Sequence, residues 1–349
     1  MSTASWFSRA LLPWYRENRR DLPWRRTTDP YRIWLSEVIL QQTRVDQGLA
    51  YWKRFVKQYP RVRDLAAAPE DEVLKLWQGL GYYRRARNLL AAAKQVVEDH
   101  GGKFPQDHKA LMRLKGVGDY TASAIASICF GRPEPVVDGN VYRVLSRAFG
   151  IATPIDSTAG RKEFRALAAT LLDREEPGDH NQAVMELGAT VCTPRSPRCG
   201  ECPLARKCIA RATDRAGELP VKQGRTTLRT RYFNYLHIVV AGKTYLRKRT
   251  GKDIWQGLYE FPLIESKKVL SEPALLRAVG TGWKVQGRQR PVKHVLSHQV
   301  IMATFWQVLP PAGSKAEKDW VAVKPAALQG YAVPRLIERY VENSSAKAR

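Results

Sequence analysis

Hydrophobic positions in the first two hundred residues recur at steps of three and four, which places them on one face of an α-helix. Trp6, Phe7, Leu11, Trp14 and Tyr15 open this series and predict a first core helix. The same spacing predicts helices over residues 31–45, 70–78, 83–98, 121–130, 161–172 and 182–192. Short breaks rich in glycine and proline separate the segments, so an all-α domain is predicted over residues 1–210.

The pattern changes to alternation farther along the chain. Residues 232–246 are strand-like except for a break at Gly242, and apolar side chains alternate over residues 300–308. An amphipathic segment over residues 336–341 predicts a closing helix. We therefore expect an α+β second domain over residues 231–345.

The connection between the domains and the net charge both indicate a polyanionic partner. Residues 211–230 are basic and poor in apolar side chains, which predicts a basic linker. The chain of 349 residues has 58 Lys and Arg against 33 Asp and Glu, a formal charge of +25. This excess favours nucleic acid over the alternative of a basic protein that merely stays soluble.

The chain carries no pattern for membrane insertion or secretion. No apolar run is long enough for a spanning helix, and residues 1–10 lack the apolar segment of a signal peptide. We therefore expect a cytoplasmic protein, associated with the nucleoid if bacterial, that does not bind membranes.

Four of the five cysteines are clustered, with the spacing Cys192-x6-Cys199-x2-Cys202-x5-Cys208. In a reducing compartment such a cluster indicates a metal site before disulfides. Four thiolates suit tetrahedral zinc and also an iron–sulfur cubane. The spacing departs from the paired C-x2-C form of zinc ribbons and favours one iron–sulfur cluster, although the thiolate count alone leaves zinc open. Cys129, in an apolar helix, is predicted to be an inert core thiol.

A pair of glycines precedes one of the predicted helices. Gly116 and Gly118 allow a tight turn, and the helix that follows directs its first N–H groups outward, where a DNA phosphate would bind. Taken alone, the glycines fit a plain connection between two helices equally well. In a chain of charge +25 they predict a helix-hairpin-helix motif.

Two carboxylates suit acid–base chemistry. Apolar residues surround Glu37 at helical spacing and would desolvate its carboxyl group, which raises the pKa as a general acid requires. The alternative is a surface glutamate in a salt bridge. Asp138 lies in Val-Val-Asp-Gly-Asn-Val, which suits a turn aspartate, a helix N-cap or a β-hairpin over residues 136–144.

Several longer motifs occur together in this chain. They are DLPWR from residue 21, WLSEVILQQT from 34, GLGYY from 79, LKGVGDYT from 114, VDGNV from 137, the four cysteines, GLYEFP from 257 and LSHQ from 296. The combination resembles the MutY-type adenine DNA glycosylases of the helix-hairpin-helix superfamily over residues 5–345. The resemblance implies an all-α helix-hairpin-helix glycosylase domain with an iron–sulfur loop, followed by an α+β Nudix-like domain.

The resemblance also implies a substrate and partners. Members of this family remove adenine mispaired with 8-oxoguanine or guanine in double-stranded DNA, after flipping the base out of the stack. We expect a monomer that carries one 4Fe-4S cluster and precedes other base-excision repair proteins.

Residue roles follow from the same resemblance. Glu37 would protonate N7 of adenine, and Asp138 would open a helix, not a hairpin, and stabilise the oxocarbenium-like sugar. Tyr120 and Asn140 match further active-site positions. The other implied site residues are Arg25 and Gln182 in the adenine pocket, Gln42 and Tyr82 as wedges near 8-oxoguanine, Gln41, Gly116 and Gly118 as DNA contacts, Ser297 and His298 at 8-oxoguanine, and Cys192, Cys199, Cys202 and Cys208 at the cluster.

Tyr120 separates two kinds of glycosylase. Endonuclease III-like relatives have a lysine at this position, and its amine forms a Schiff base with the sugar. A phenol forms no imine, so a monofunctional glycosylase that uses water is predicted. The rival hypotheses are an endonuclease III-like enzyme acting on oxidised pyrimidines and a non-catalytic DNA-binding protein.

The second domain is expected to bind without hydrolysing. After Gly257 it lacks the R-E-x2-E-E helix that holds metal in Nudix hydrolases. The family commonly has phenylalanine where this chain has Leu296, so the chain departs from the family pattern in the loop that contains Ser297, at a position where an aromatic ring could stack.

Overall fold

The computed structural model describes residues 6–224 and 228–347, which group into two units. Unit 1 comprises the chain up to Ala67 and Asn88–Gly224, and unit 2 comprises Ala68–Arg87 and the chain from Arg225 onward. This division differs from the predicted boundaries, because the segment Ala68–Arg87 groups with the C-terminal part. Residues 1–5 and 225–227, which the predicted domain and linker include, lie outside the described residues.

Helices account for the regular structure of unit 1. In chain order the helices of the protein are α1 (Trp6–Asn18), α2 (Pro30–Leu40), α3 (Val45–Gln58), α4 (Val62–Ala66), α5 (Glu70–Trp77), α6 (Arg84–His100), α7 (His108–Leu111), α8 (Asp119–Phe130), α9 (Gly139–Phe149), α10 (Thr158–Leu171), α11 (Pro177–Thr190), α12 (Ile209–Ala212), α13 (Glu272–Val279) and α14 (Arg335–Lys347). The helices α5, α13, α14 and the first turn of α6 belong to unit 2. None of the helices in the described ranges is long and apolar enough to span a lipid bilayer.

The core of unit 1 forms where α1, α9, α10 and α11 meet. Phe7, Leu145, Phe164 and Leu187 are fully buried there, one from each helix. Burying a large apolar side chain of this kind stabilises a fold by about 1.5–3 kcal/mol. The helix α11 therefore has a fixed position against α9, and it also packs on α8.

One predicted helix of unit 1 differs from the structure, and one of the alternatives left open by the spacing is excluded. The predicted helix over residues 31–45 is two helices, because Gln41 is extended and Gln42 has a positive φ of 56°. The β-hairpin suggested by the valines around residue 138 does not form, since the Asp138 side chain caps α9. Local capping thus outweighs the alternation of valines.

The predicted linker is partly structured. Its first half belongs to unit 1, where Leu219 is buried and Val221 O accepts a hydrogen bond from Ile155 N at 3.0 Å. Asp156 accepts further bonds from the backbone of Gln223 and Gly224. Composition alone gave no sign of these contacts.

Unit 2 is built on a mixed sheet. Its strands are β1 (Arg229–Val240), β2 (Lys243–Lys248), β3 (Tyr259–Glu260), β4 (Leu263–Ser266), β5 (Lys284–Arg288), β6 (Val292–Val295), β7 (Gln299–Leu309) and β8 (Trp320–Val323). The central strands β1 and β7 are parallel, and the other pairings are antiparallel.

Both faces of this sheet are covered. Phe233 and Phe305 pack with Tyr340 of α14 on one face, and Trp306 packs with Leu275 of α13 on the other. Side chains alternate between the faces along each strand, which accounts for the alternation over residues 300–308. The predicted all-α first domain and α+β second domain are confirmed.

Candidate active site and DNA-contact residues

A cavity of about 480 Å³ opens in unit 1, with walls from α2, α8, α9 and α11. Its volume lies in the range of small-molecule sites. Eight predicted site residues line it: Arg25, Glu37, Gln41, Gln42, Tyr120, Asp138, Asn140 and Gln182. The fold thus brings together residues that are up to 157 positions apart, from Arg25 to Gln182.

Glu37 is the proton donor candidate of this cavity. Burial raises the pKa of its carboxyl group to about 7, and the negative charge of Asp138 acts in the same direction. The Tyr120 hydroxyl donates a hydrogen bond to Glu37 Oε2 at 2.6 Å, which opposes the rise. Near neutral pH this carboxyl group therefore exchanges a proton readily.

Asp138 is fixed by the helix that it caps. Its Oδ1 accepts from the backbone N–H groups of Asn140 and Val141, each at 2.8 Å, and its Oδ2 accepts from Asn140 Nδ2 at 2.9 Å. Burial raises the pKa of Asp138, while these hydrogen bonds act to lower it. The carboxylate is held in one orientation toward the cavity that Glu37 lines.

Arg143 was not found by sequence reasoning. Its Nη2 donates to Asn140 Oδ1 at 2.8 Å and to Gly188 O at 2.7 Å, and its Nε donates to Cys192 O at 2.7 Å. A continuous set of hydrogen bonds therefore joins Asp138 to the cysteine loop. An arginine on an amphipathic helix gives no signal of such a role in the sequence.

Glu186 was also missed. It is fully buried, and it accepts hydrogen bonds from Arg20 Nη2 at 2.6 Å and from Arg25 Nη2 at 2.7 Å. Burial acts to raise the pKa of Glu186, but the two arginines outweigh it and lower the pKa to about 2. This carboxylate therefore stays ionised and holds Arg25 at the cavity wall.

The predicted helix-hairpin-helix is formed by α7, the turn before residue 119 and α8. Gly116 has a φ of 77°, and a Cβ added there would lie 2.6 Å from Asn88 Cβ. Gly118 precedes α8 without a side-chain cap, and both glycines are exposed. The backbone of this turn is thus accessible to a phosphate group.

The two predicted wedge residues share an unusual backbone. Gln42 and Tyr82 have positive φ values of 56° and 47°, a conformation that side chains other than glycine seldom adopt. Strained backbone of this kind is concentrated at functional sites. Gln42 lines the cavity of unit 1.

The other wedge residue lies beside the predicted 8-oxoguanine loop. Tyr82 belongs to unit 2, where its side chain is 41% exposed. Its hydroxyl is hydrogen-bonded to Ser297 Oγ, although the two are 215 residues apart. Ser297 and His298 are exposed in the turn between β6 and β7.

The cysteine loop forms a second cavity in unit 1. Cys192, Cys199, Cys202 and Cys208 all line it, and each is free of disulfides. Burial raises the pKa of the Cys202 thiol to about 11, and the neighbouring cysteines act in the same direction. Within the described residues no group of three or more Cys, His, Asp or Glu side chains closes on a single ion, so four thiols lining one cavity fit a cluster of several metal atoms, whose binding removes their protons.

The surroundings of the thiols support that fit. Burial raises the pKa of the Cys192 thiol, and Arg147, whose Nη1 lies 3.5 Å from Cys192 Sγ, acts in the opposite direction. The four cysteines would hold the cluster, which would supply covalent links that order the loop. Cys129 lies apart on α8, where burial raises the pKa of its thiol.

Comparison with known families identifies three matching segments. The HhH-GPD superfamily of base excision DNA repair proteins matches residues 35–169, and the iron–sulfur binding domain of endonuclease III matches residues 192–208. The NUDIX domain matches residues 234–343. Fold and site together define a protein of the helix-hairpin-helix superfamily with a 4Fe-4S cluster loop and a Nudix-like domain. The iron–sulfur prediction is confirmed over the zinc alternative.

Curated relatives narrow this class. Human adenine DNA glycosylase is 48% identical over 214 residues, which cover 59% of this chain and 39% of the human protein. The adenine DNA glycosylase of Buchnera aphidicola subsp. Schizaphis graminum (strain Sg) is 34% identical over 262 residues, covering 75% of this chain and 76% of that protein. The chain belongs to the adenine DNA glycosylase family, as its motifs predicted. It spans about two fifths of the human relative's length.

Solved structures agree on the fold. A thermostable thymine-DNA glycosylase matches with a TM-score of 0.55 and 32% identity, covering 59% of this chain and 95% of that chain. Endonuclease III in a non-covalent DNA complex matches with a TM-score of 0.52 and 24% identity, covering 61% and 99%. The second likeness concerns the fold alone.

Proposed function

We propose that this protein is a monofunctional DNA glycosylase that hydrolyses the N-glycosidic bond of adenine mispaired with 8-oxoguanine or guanine. The observation that carries the proposal is the Glu37 carboxyl group, with a pKa of about 7, in one cavity with Asp138. The names of the curated relatives support adenine as the base. Double-stranded DNA is the proposed partner of a monomeric enzyme that acts ahead of other base-excision repair proteins.

Departure of adenine requires a proton. Glu37 carries one near neutral pH and, in this proposal, transfers it to N7 of the flipped base as the glycosidic bond lengthens. The Tyr120 hydroxyl, which donates to Glu37 at 2.6 Å, stabilises the carboxylate left behind. Removing such a general acid lowers the rate by about 10²–10⁴-fold.

The sugar becomes electron-poor as the base leaves. Asp138 is oriented by three hydrogen bonds from Asn140 and Val141, and its negative charge would stabilise the oxocarbenium-like carbon. Water then attacks that carbon, since the phenol of Tyr120 cannot form an imine. The products are free adenine and an abasic site with an intact DNA strand.

Recognition of the opposite base is proposed for unit 2. The hydrogen bond between Tyr82 and Ser297 supports this proposal, because Tyr82 is the predicted wedge and Ser297 is the predicted reader of 8-oxoguanine. Ser297 would hydrogen-bond the altered edge of the base, with His298 adjacent in the same exposed turn. The domain would bind the lesion without hydrolysing a nucleotide.

Single-turnover excision tests the proposal. The cluster-loaded protein should release adenine from duplexes with 8-oxoguanine or guanine opposite, faster than from an adenine–thymine pair. Glu37→Gln should lose about 10²–10⁴-fold in rate, whereas the exposed Glu163→Gln should match the wild type. Equal rates for Glu37→Gln and the wild type would remove the catalytic claim.

Borohydride trapping addresses the endonuclease III-like alternative. The wild type should form little covalent complex with an abasic duplex, and Tyr120→Lys should form more, because only an amine gives a reducible imine. Strong trapping of the wild type would contradict the monofunctional mechanism.

A further inference from the structure

One edge of the sheet in unit 2 carries only positive charge. Between Glu272 and Glu317 the sequence contains no aspartate or glutamate. Within this stretch lie Lys284, Arg288, Arg290 and Lys293, which we call the basic edge. All four side chains are exposed.

The four residues lie in the segment formed by β5, β6 and their connection, which runs along one edge of β7. The strands β5 and β6 follow each other along it, and both pair with it in antiparallel register. Arg288 pairs with Trp306 and Lys293 with Met302, so these two cations lie on the same face of the sheet. The Arg288 guanidinium lies 4.7 Å from the centre of the Trp306 ring, which supports its position.

The charges of the basic edge are unneutralised. Among the residues that the structure describes, none of the four makes an ion pair. Three other arginines of unit 2 are paired: Arg231 binds Asp253 and Glu265, and Arg247 and Arg249 both bind Glu260. These arginines are neutralised within unit 2, whereas the basic edge is available to an external anion.

The basic edge ends beside the turn that holds Ser297. Lys293 precedes Ser297 by four residues, which span at most about 13 Å in an extended strand. One DNA strand advances by about 3.4 Å along the helix axis for each phosphate. A phosphate bound by Lys293 would thus lie within about four nucleotides of a base read by Ser297.

We propose that the basic edge binds the phosphates of the DNA strand that carries the base opposite adenine. This assignment rests on the proposed reading role of Ser297. The basic edge would fix the register of that strand while the Ser297 turn contacts the base, a division of tasks common in DNA recognition. The partner is chosen by charge complementarity, since the edge carries four cations and no carboxylate.

The test measures binding of the full, cluster-loaded chain against salt. Arg290→Gln with Lys293→Gln should flatten the plot of log affinity against log salt by about 1.8, because each phosphate contact contributes about 0.9. Lys267→Gln with Lys268→Gln removes two exposed charges from another part of unit 2 and should leave the slope unchanged. An unchanged slope in the first variant would overturn the proposal, even if that variant also self-associated more than the wild type.

A second arm identifies the strand. Methylphosphonates near 8-oxoguanine, on the strand carrying it, should weaken the wild type but have less effect on the double variant. The same groups on the adenine strand should weaken both proteins equally. The assignment would be overturned if the wild type and the double variant differed equally in their response to methylphosphonates on either strand, or differed only for the adenine strand. Both arms measure binding and not excision, so a failed glycosylase assay is distinguishable from a failed basic edge.

Discussion

Replacing Glu37 with glutamine should abolish most activity and at the same time stabilise unit 1 above neutral pH. The reason is the cost of keeping an ionised carboxylate in a cavity that burial has largely desolvated. Glutamine has nearly the same shape and still accepts the hydrogen bond from Tyr120, but it never carries a charge. The substitution therefore isolates the energy of the charge.

The magnitude follows from proton linkage. In the folded protein the pKa of Glu37 is about 7, against an ordinary value of 4.5. The folded state holds this proton between the two values while the unfolded state releases it, so stability falls as pH rises from 4.5 to about 7. Above pH 7 the full difference amounts to about 3 kcal/mol, and it is absent below the unfolded value.

The assay is urea unfolding of the full chain, followed through the visible absorbance of the iron–sulfur cluster. The cluster ligands lie in unit 1, so this signal reports the unit that contains Glu37. At pH 8 we expect Glu37→Gln to exceed the wild type by about 3 kcal/mol in unfolding free energy. At pH 5, still slightly above the unfolded pKa, the difference should shrink to about 1 kcal/mol.

The control is Glu163→Gln, which replaces an exposed glutamate on α10. It should leave the pH dependence of stability unchanged. A constant difference between Glu37→Gln and the wild type from pH 5 to 8 would refute the reasoning, because it would show that Glu37 does not titrate with a raised pKa.

Three further predictions concern other residues of unit 1. Tyr120→Phe removes the hydroxyl that lowers the pKa of Glu37, so the alkaline limb of the excision rate should move up by about one to two pH units; an unmoved limb in rate measurements from pH 6 to 9 would contradict this. Gly116→Ala should lower the unfolding free energy in urea by about 1–3 kcal/mol, because residue 116 has a positive φ and the added Cβ would lie 2.6 Å from the Asn88 side chain. A Cβ added at Gly118 would meet no atom within 4 Å, so Gly118→Ala should cost much less. Glu186→Gln leaves two arginines without their buried carboxylate and should lower the unfolding free energy by about 3 kcal/mol; wild-type stability would show that the arginines find other partners.

Much of the fold was predictable because the hydrophobic residues of most elements follow one spacing, either helical or alternating. The alternation over residues 300–308 matches β7, whose two faces are buried by different helices. Alternation alone left a hairpin open over residues 136–144, and the structure confirms the helix start that the resemblance implied, because one aspartate side chain accepts two backbone N–H groups and opens α9. Capping depends on where a side chain points, which hydrophobic spacing does not encode.

The grouping of residues 68–87 with unit 2 has a similar explanation. Asp71 binds both Lys248 and the hydroxyl of Tyr259, and Arg87 Nη1 donates to Gln256 Oε1 at 2.5 Å. These partners are more than 160 residues apart, and each is an ordinary polar residue in its own segment. No local pattern reports such contacts.

The same difference between local patterns and distant contacts applies to the candidate site. Glu37 was predictable as a raised-pKa acid because its neighbours in one helix are apolar. Glu186 was not, because its partners Arg20 and Arg25 come from a distant segment at the start of the chain. Residue spacing therefore predicts a carboxyl group whose environment is local and misses one whose partners are distant in the chain.

In the proposed mechanism, the contrast between these two glutamates also decides which of them would deliver the proton. Both line the same cavity, and burial acts to raise the pKa of both. Glu186 is bonded to two guanidinium groups, which outweigh burial and hold its pKa at about 2. Glu37 receives one neutral hydroxyl and keeps a pKa of about 7. Because a general acid works best with a pKa near the working pH, the cavity contains one carboxyl group suited to protonating adenine and another that only positions Arg25.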